Sequence, residues 1–302
     1  MALRLKIILL ILSVVFVGTF GQDEMLPKPG ECGALNETNM YNQKFTVEPD
    51  EFPWMAKIAY TKSSPNSPAF RCLAVLITER YLLSNSICFD ELYDPYGVVL
   101  GDWDTIKEPD CGNAPSCPHI SGYEAIEDVI IHRRYRKTSY RYNIALIRLV
   151  KSVTFSKYIQ PICLPDADIV KMHFATQHLQ ITGWYLRLEQ KVKNFAHVMS
   201  LRDCRNAFEE ETEENIEDIF ESNQMMCAFT CQQRPSNKAT LDSWGNYLSG
   251  SALIGVTTVN SVPKSYYLIG LLPYTRIYCA KTYPDIISRI DVHLDWIKEN
   301  IY

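Results

Sequence analysis

After residue 17 the chain has no apolar run of the about 20 residues that a membrane-crossing helix needs, so nothing in its body reads as a membrane span. Positive charge is not in surplus: 30 Lys and Arg against 35 Asp and Glu leave a net charge of -5. That balance removes any general case for nucleic-acid binding. The cysteines lack the paired short spacings of a zinc module. Cys227-x3-Cys231 and the group Cys111, Cys117 and His119 come nearest to one, and no metal or cofactor is expected.

What is present is ample material for a core, with 47% hydrophobic residues among 302, enough for one large or two small domains. Arg4 and Lys6 precede an apolar run from Ile7 to Val17, and Thr19-Phe20-Gly21 follows it. A basic start, an apolar middle and a small-residue exit identify residues 1–21 as a secretory signal peptide. The protein is therefore expected to be secreted and extracellular. In that oxidising compartment ten cysteines, an even number, argue for disulfides. Asn36-Glu37-Thr38 is an acceptor sequon for N-glycosylation.

Residues 22–47 carry Pro27, Pro29, Gly30 and Gly33 with little periodicity and read as an irregular, partly extended peptide. From Phe52 onward short strand-like runs follow one another: 55–60, 73–77, 81–83, 98–100, 125–131, 144–149 and 179–184. Many short strands separated by turn residues predict an all-β barrel or sandwich. Near the end, Val292, Trp296 and Ile297 at helical spacing after Asp291, a candidate N-cap, predict one short C-terminal helix. Two charge runs stand out. Arg133, Arg134, Arg136 and Lys137, continued by Arg141, are basic and interleaved with tyrosines; residues 209–218 are acidic. A solvated surface is the ordinary reading of both. The functional alternative for the basic run is an acidic polysaccharide or an acidic protein.

The hairpin at 71–88 closes on Ser84-Asn85-Ser86-Ile87-Cys88, which resembles the Thr-Ala-Ala-His-Cys peptide of chymotrypsin-like serine proteases, where the histidine is the general base. Other stretches match the same family in order. Glu51-Phe52-Pro53-Trp54 resembles the start of its first barrel, and Leu100-Gly101-Asp102-Trp103-Asp104 a stretch of insect clip-type proteases. Tyr142-Asn143-Ile144-Ala145-Leu146 resembles the strand carrying the catalytic aspartate, and Gln160-Pro161-Ile162-Cys163-Leu164-Pro165 the linker between barrels. Ile181-Thr182-Gly183-Trp184, Pro284-Asp285-Ile286 and Asp295-Trp296-Ile297 complete the series. The resemblance implies two six-stranded antiparallel β-barrels with a short C-terminal α-helix. It also implies an N-terminal peptide at 22–47, tethered by a disulfide to a protease-like domain at 48–302.

Family positions imply the disulfides Cys72–Cys88, Cys204–Cys227, Cys111–Cys117 and Cys32–Cys163. The remaining two cysteines suggest Cys231–Cys279.

The chemistry departs from the family. Hydrolysis there needs a serine, a histidine to take its proton and a carboxylate to orient the histidine. Ile87 stands at the histidine position, Asn143 at the carboxylate position, and Ser249 at the nucleophile position. Losing the histidine alone costs roughly a million-fold in another serine protease, and the aspartate-to-asparagine change roughly ten thousand-fold. Tyr247 replaces the oxyanion-hole glycine, and Ser243 the acidic residue of trypsin-type pockets. Pro273-Tyr274-Thr275 replaces the strand that hydrogen-bonds substrate, and proline has no N–H to offer. Leu248 replaces the aspartate that pairs with the new amino terminus after activation, and the cut region Tyr41-Asn42-Gln43-Lys44-Phe45 has no Ile-Val-Gly-Gly.

The resemblance therefore implies a secreted, catalytically inactive serine protease homologue that binds an extracellular protein, such as an active protease or its substrate. Its role would be regulator, cofactor or decoy; relatives of this kind serve arthropod immune and reproductive fluids. No six-cysteine clip domain precedes the barrel. One alternative is a residual hydrolase using Ser249 with His132 or His119 as base. A second is a polyanion-binding extracellular protein working through the basic run.

Overall fold

The computed structural model describes residues 25–40, 42, 44–61, 69–89, 94–104, 123–166, 169, 179–185, 190–208, 223–230, 247–259, 262–273 and 284–302. The short β-branched and aromatic runs form strands. β1 (Met55–Tyr60), β2 (Ala69–Leu76), β3 (Tyr81–Ser84), β4 (Pro95–Leu100), β5 (Tyr123–Ile131) and β6 (Ala145–Leu149) come first. β7 (Leu179–Gly183), β8 (Val192–Met199), β9 (Met225–Phe229), β10 (Ser251–Val259), β11 (Val262–Leu272) and β12 (Asp285–Arg289) follow. They close into two antiparallel barrels, ordered β1-β2-β3-β6-β5-β4 and β10-β11-β12-β9-β8-β7. Closure pairs every strand on both sides and leaves no free sheet edge.

Among the described residues three short helices accompany the barrels: α1 (Glu37–Met40), α2 (Leu201–Phe208) and α3 (Leu294–Asn300). The last was expected, but Asp291 does not cap it. Residues Asp291–His293 form a 3-10 turn with no side-chain cap, and the Arg289 guanidinium donates instead to both Asp291 oxygens, at 3.0 and 2.5 Å. A charged fork two residues away satisfies a carboxylate more strongly than a neutral backbone amide does. α3 packs through Ile297, and the residue after it, Ile301, joins the same core, both fully buried. The Tyr81 hydroxyl donates to the Tyr302 carbonyl at 2.9 Å and accepts from its N–H at 3.1 Å. No helix among the described residues is long and apolar enough to cross a membrane.

The N-terminal peptide is more ordered than its proline and glycine content suggests. Cys32 is bonded to Cys163, and Gly33 donates to the Pro161 carbonyl at 2.8 Å while accepting from Tyr266 at 3.0 Å. The exposed Asn36 turns its Oδ1 onto the N–H groups of Thr38 and Asn39, capping α1. Farther along, Thr46 bridges to Val192 on the second barrel. The structure also joins Cys72 to Cys88 at the base of the β2–β3 hairpin, and Cys204 to Cys227, fastening α2 to β9. The expected pairs Cys111–Cys117 and Cys231–Cys279 lie outside the described residues.

Two buried ion pairs stand where alternation along a strand would have placed lysines in water. Lys57, in the middle of β1 and only 2% exposed, pairs with Asp102, which is 5% exposed, just past the end of β4. The rings of Phe70 and Trp184 lie 4.6 and 5.2 Å from its ammonium. Lys193 on β8 pairs with Glu51 and donates to the Asn39 carbonyl of the N-terminal peptide at 2.8 Å. A buried charge tolerates its site only while its partner is present. Lys57→Met should therefore cost about 3–5 kcal/mol by leaving the Asp102 carboxylate unpaired, and adding Asp102→Leu should recover most of that loss. Urea unfolding followed by tryptophan fluorescence measures both; a single variant within 1 kcal/mol of the parent protein, the scale of an exposed pair, would show that the pair is immaterial.

Candidate active site

The hairpin that carries Ile87 and the turn that carries Ser249 meet between the barrels. Cys72 and Ser249 form a parallel bridge, and the Leu73 N–H donates to the Ser249 carbonyl at 2.7 Å. The Leu73 carbonyl accepts from the Ser84 hydroxyl at 2.7 Å. Such close approach needs Gly250, whose φ is +88° and whose added Cβ would fall 1.9 Å from the Leu73 carbonyl oxygen. The Cys72–Cys88 disulfide then links this junction to the residue after Ile87.

Ile87 sits in the 3-10 turn Ser86–Phe89, half-buried and packed against the first core. Its N–H donates to Asn143 Oδ1 at 3.1 Å. Asn143 is 1% exposed; its carbonyl accepts from Asn85 Nδ2 at 3.0 Å. Asn143 Nδ2 and Asn85 Oδ1 are buried without a hydrogen-bond partner. Ser86 completes the network by donating to the Ile144 carbonyl at 2.7 Å. The Ser249 hydroxyl donates to the Pro273 carbonyl at 2.5 Å, its one hydrogen bond among the described residues. Among the described residues no imidazole, carboxylate or amine holds that oxygen.

The residues before Ser249 are packed inward. Leu248 is 8% exposed and belongs to the core shared by both barrels. Its N–H donates to the Trp184 carbonyl at 2.9 Å, and its carbonyl accepts the Ser251 hydroxyl at 2.8 Å. Tyr247 bridges Tyr185 with the rings 4.5 Å apart edge to face, and burial pushes its phenol well above its ordinary pKa. Ser243, Tyr274 and Thr275, expected in the pocket, lie outside the described residues. So does His119. Among the described residues no group of His, Cys, Asp and Glu could hold a metal ion.

His132, the other histidine considered as a base, is engaged elsewhere. It stacks on Tyr142 at 4.6 Å and lies 5.1 Å from Trp296 and 5.8 Å from His293, and its Nδ1 accepts the Arg134 N–H at 3.2 Å. Burial lowers its pKa, helped by the charges of Arg134 and Arg133. Of the basic run, Arg134, Arg136 and Arg141 come together around one pocket with Thr138, Ser139 and Tyr142. Arg133 and Lys137 are exposed and do not line it. The hydroxyls and the ring were not foreseen; only their interleaving with the arginines hinted at them.

The family model described as Trypsin matches residues 42–297. Serine protease ea of Drosophila melanogaster is 31% identical over 300 residues, covering 92% of this chain and 71% of its own. Phenoloxidase-activating factor 3 of Holotrichia diomphalia is 30% identical over 287 residues, covering 91% of this chain and 76% of its own. Among solved structures, the Drosophila Grass clip serine protease of the Toll pathway superposes with a TM-score of 0.67 at 21% identity. That match covers 88% of this chain and 73% of the other, and carries the fold alone.

Two outcomes follow from this geometry. Gly250→Ala should destabilise the protein by about 2–4 kcal/mol, since both the positive φ and the backbone contact resist a methyl group; thermal unfolding unchanged by the methyl would mean the junction yields freely. The second concerns His293, 3% exposed, whose pKa is lowered to about 4 by burial and by the neighbouring His132, against the opposing pull of Asp291. A histidine held neutral stabilises fully above its unfolded value of about 6.5, and that stability drains as pH falls toward the folded value. Between pH 7 and pH 5 the parent protein should lose about 2 kcal/mol more than His293→Asn. Parallel urea midpoints for the two across that interval would rule this out.

Proposed function

The chain belongs to the trypsin family of serine proteases, and we propose that it is a secreted member that keeps the fold, does not hydrolyse peptides, and acts by binding another protein in an extracellular protease pathway. The reading rests on Ile87. An isoleucine side chain has no atom that takes a proton, and without a base the Ser249 hydroxyl is an ordinary alcohol. Its contact with the Pro273 carbonyl orients it but cannot ionise it, because a carbonyl accepts a hydrogen bond without becoming a base at neutral pH.

The neighbouring residues support the same reading. Asn143 offers Ile87 a neutral amide oxygen, which could not stabilise an imidazolium as a carboxylate does. A leucine at 248 is at home in the shared core, where an unpaired carboxylate would be costly. With no carboxylate there, a freed amino terminus would have no partner. The N-terminal peptide is then best read as permanently joined to the domain, held by Cys32–Cys163, by Gly33 and by Lys193. On this reading residues 1–21 are the signal peptide, 22–47 the retained peptide and 48–302 the protease-like domain. The relative named as a phenoloxidase-activating factor suggests the setting, an insect protease cascade in which this chain regulates, assists or decoys an active enzyme.

A serine-directed fluorophosphonate probe tests the chemistry: no covalent label is expected at Ser249, and labelling there would overturn the proposal. Ile87→His alone is expected to show no amidase activity against peptide anilides, since Asn143, Leu248 and Tyr247 remain as they are.

A further inference from the structure

We propose that the pocket formed by residues 134–142 binds a sulfate ester of an acidic extracellular polysaccharide, with Arg134, Arg136 and Arg141 as its anion-holding side chains. The choice of a polysaccharide rests on the proposed secretion; the anion site rests on the pocket itself.

The pocket has a volume of about 350 Å³ and is lined by three arginines, two hydroxyl residues and Tyr142, with no carboxylate among its described lining residues. That size lies within the range of small-molecule sites. Residues 133–141 hold five Lys or Arg and no acid, in a chain whose net charge is -5. A local cationic patch on an acidic protein attracts anions to one place.

Three arginines elsewhere in the molecule find acids. Arg80 reaches Glu127 at 2.6 Å, Arg148 reaches the same carboxylate at 3.1 Å, and Arg289 takes Asp291 at 2.5 Å. Arg134, Arg136 and Arg141 have no acidic partner among the described residues. More telling, the Nε–H of Arg141 is shut off from water with no acceptor. A buried guanidinium donor left without a partner is costly, and an oxyanion held beside the Arg141 guanidinium at the pocket would offset that cost through its charge. Guanidinium groups suit this role because their planar fork matches the oxygens of sulfate and phosphate.

The loop is shaped to bring these side chains together. Arg136 and Arg141 bridge across it, with the Arg136 N–H donating to the Arg141 carbonyl at 3.1 Å, and Ser139 closes the turn onto the Arg136 carbonyl at 3.3 Å. Tyr140 and Tyr142 hold φ values of +51° and +56°, a backbone region that bulky residues adopt only under constraint. Gln224 Oε1 accepts the Tyr142 N–H at 3.0 Å, and the Arg134 guanidinium lies 4.4 Å from the Tyr142 ring. Stacking on that ring holds a guanidinium in one orientation, which lowers the entropy lost when an anion arrives. The shared chemistry is a tetrahedral oxyanion. Sulfate esters are favoured over phosphates because they are the form carried by polysaccharides outside the cell.

The test is calorimetric titration of the whole secreted chain with a sulfated heparin-derived oligosaccharide, its desulfated counterpart, inorganic sulfate and inorganic phosphate. The sulfated oligosaccharide should bind, and more weakly as salt is raised toward about 0.15 M. The desulfated one should not bind. The double variant R136Q/R141Q should lose roughly tenfold or more in affinity, whereas R202Q, on α2 and not among the residues that line the pocket, should match the parent protein. R136K/R141K keeps the charge and should recover only part of the loss. Melting temperatures accompany each variant; should the double variant fail to fold, T138E, at an exposed position in the wall, replaces it. Equal affinity in the pocket variants, phosphate binding as tightly as the sulfated oligosaccharide, or no binding at all would each overturn the proposal. None of these outcomes bears on labelling of Ser249, so this proposal and the absence of hydrolysis stand or fall separately.

Discussion

The contact between Leu73 and the Ser249–Gly250 turn is the constraint on which the rest of the molecule depends. Two barrels with separate closed sheets share few backbone hydrogen bonds, and the Leu73 N–H at 2.7 Å from the Ser249 carbonyl is one of them, with the Lys191 N–H on the Trp103 carbonyl at 3.0 Å. Glycine at 250 permits the approach because any Cβ would meet the Leu73 backbone. From that point the Cys72–Cys88 disulfide, the half-buried Ile87 and the Asn85–Asn143 network all take their places. The interaction would be equally necessary in a working hydrolase, since it aims the serine. In the proposed reading it survives because the core needs it, whatever becomes of the chemistry.

Stability and catalysis draw on different atoms in this fold. The barrels are held by fully buried residues such as Trp54, Leu82, Leu83 and Leu253, and by the ion pairs of Lys57 and Lys193. None of these takes a proton from a serine. An enzyme of this architecture carries costs that a binding protein can shed: a buried activation carboxylate, a flexible oxyanion glycine and an acidic histidine partner. In the proposed reading Leu248, Tyr247 and Asn143 stand at those positions: Leu248 packs in the shared core and Asn143 accepts the Ile87 N–H, although Asn143 still leaves one amide donor unsatisfied. That orphan marks the place where an acceptor would serve a different chemistry.

Much of the architecture was legible in the chain. The runs at 55–60, 125–131 and 144–149 became β1, β5 and β6 with shifts of two residues at most, because β-branched and aromatic side chains fit a pleated, half-buried surface. The helices were harder to read. α2 went unforeseen because it is only eight residues long; Ser200 caps it by accepting the Asp203 N–H at 3.1 Å, and the Cys204–Cys227 bond fastens it to β9. α1 is a single turn capped by Asn36 inside a stretch rich in proline and glycine. Asp291 looked like a cap, yet a nearby guanidinium outcompeted the helix for it.

The sequence by itself determined which atoms are available: an isoleucine at 87 has no proton acceptor in any fold, and an asparagine at 143 carries no charge. It also determined that residues 133–141 would be basic without acids. Only the tertiary structure decided where those atoms meet. It buried Lys57 beside Asp102, which stands 45 positions along the chain, and turned Arg134, Arg136 and Arg141 onto one pocket while leaving Arg133 and Lys137 outside it. The reason is physical: chemical identity belongs to a single residue, whereas burial, pairing and convergence depend on distances that closing the barrels alone sets.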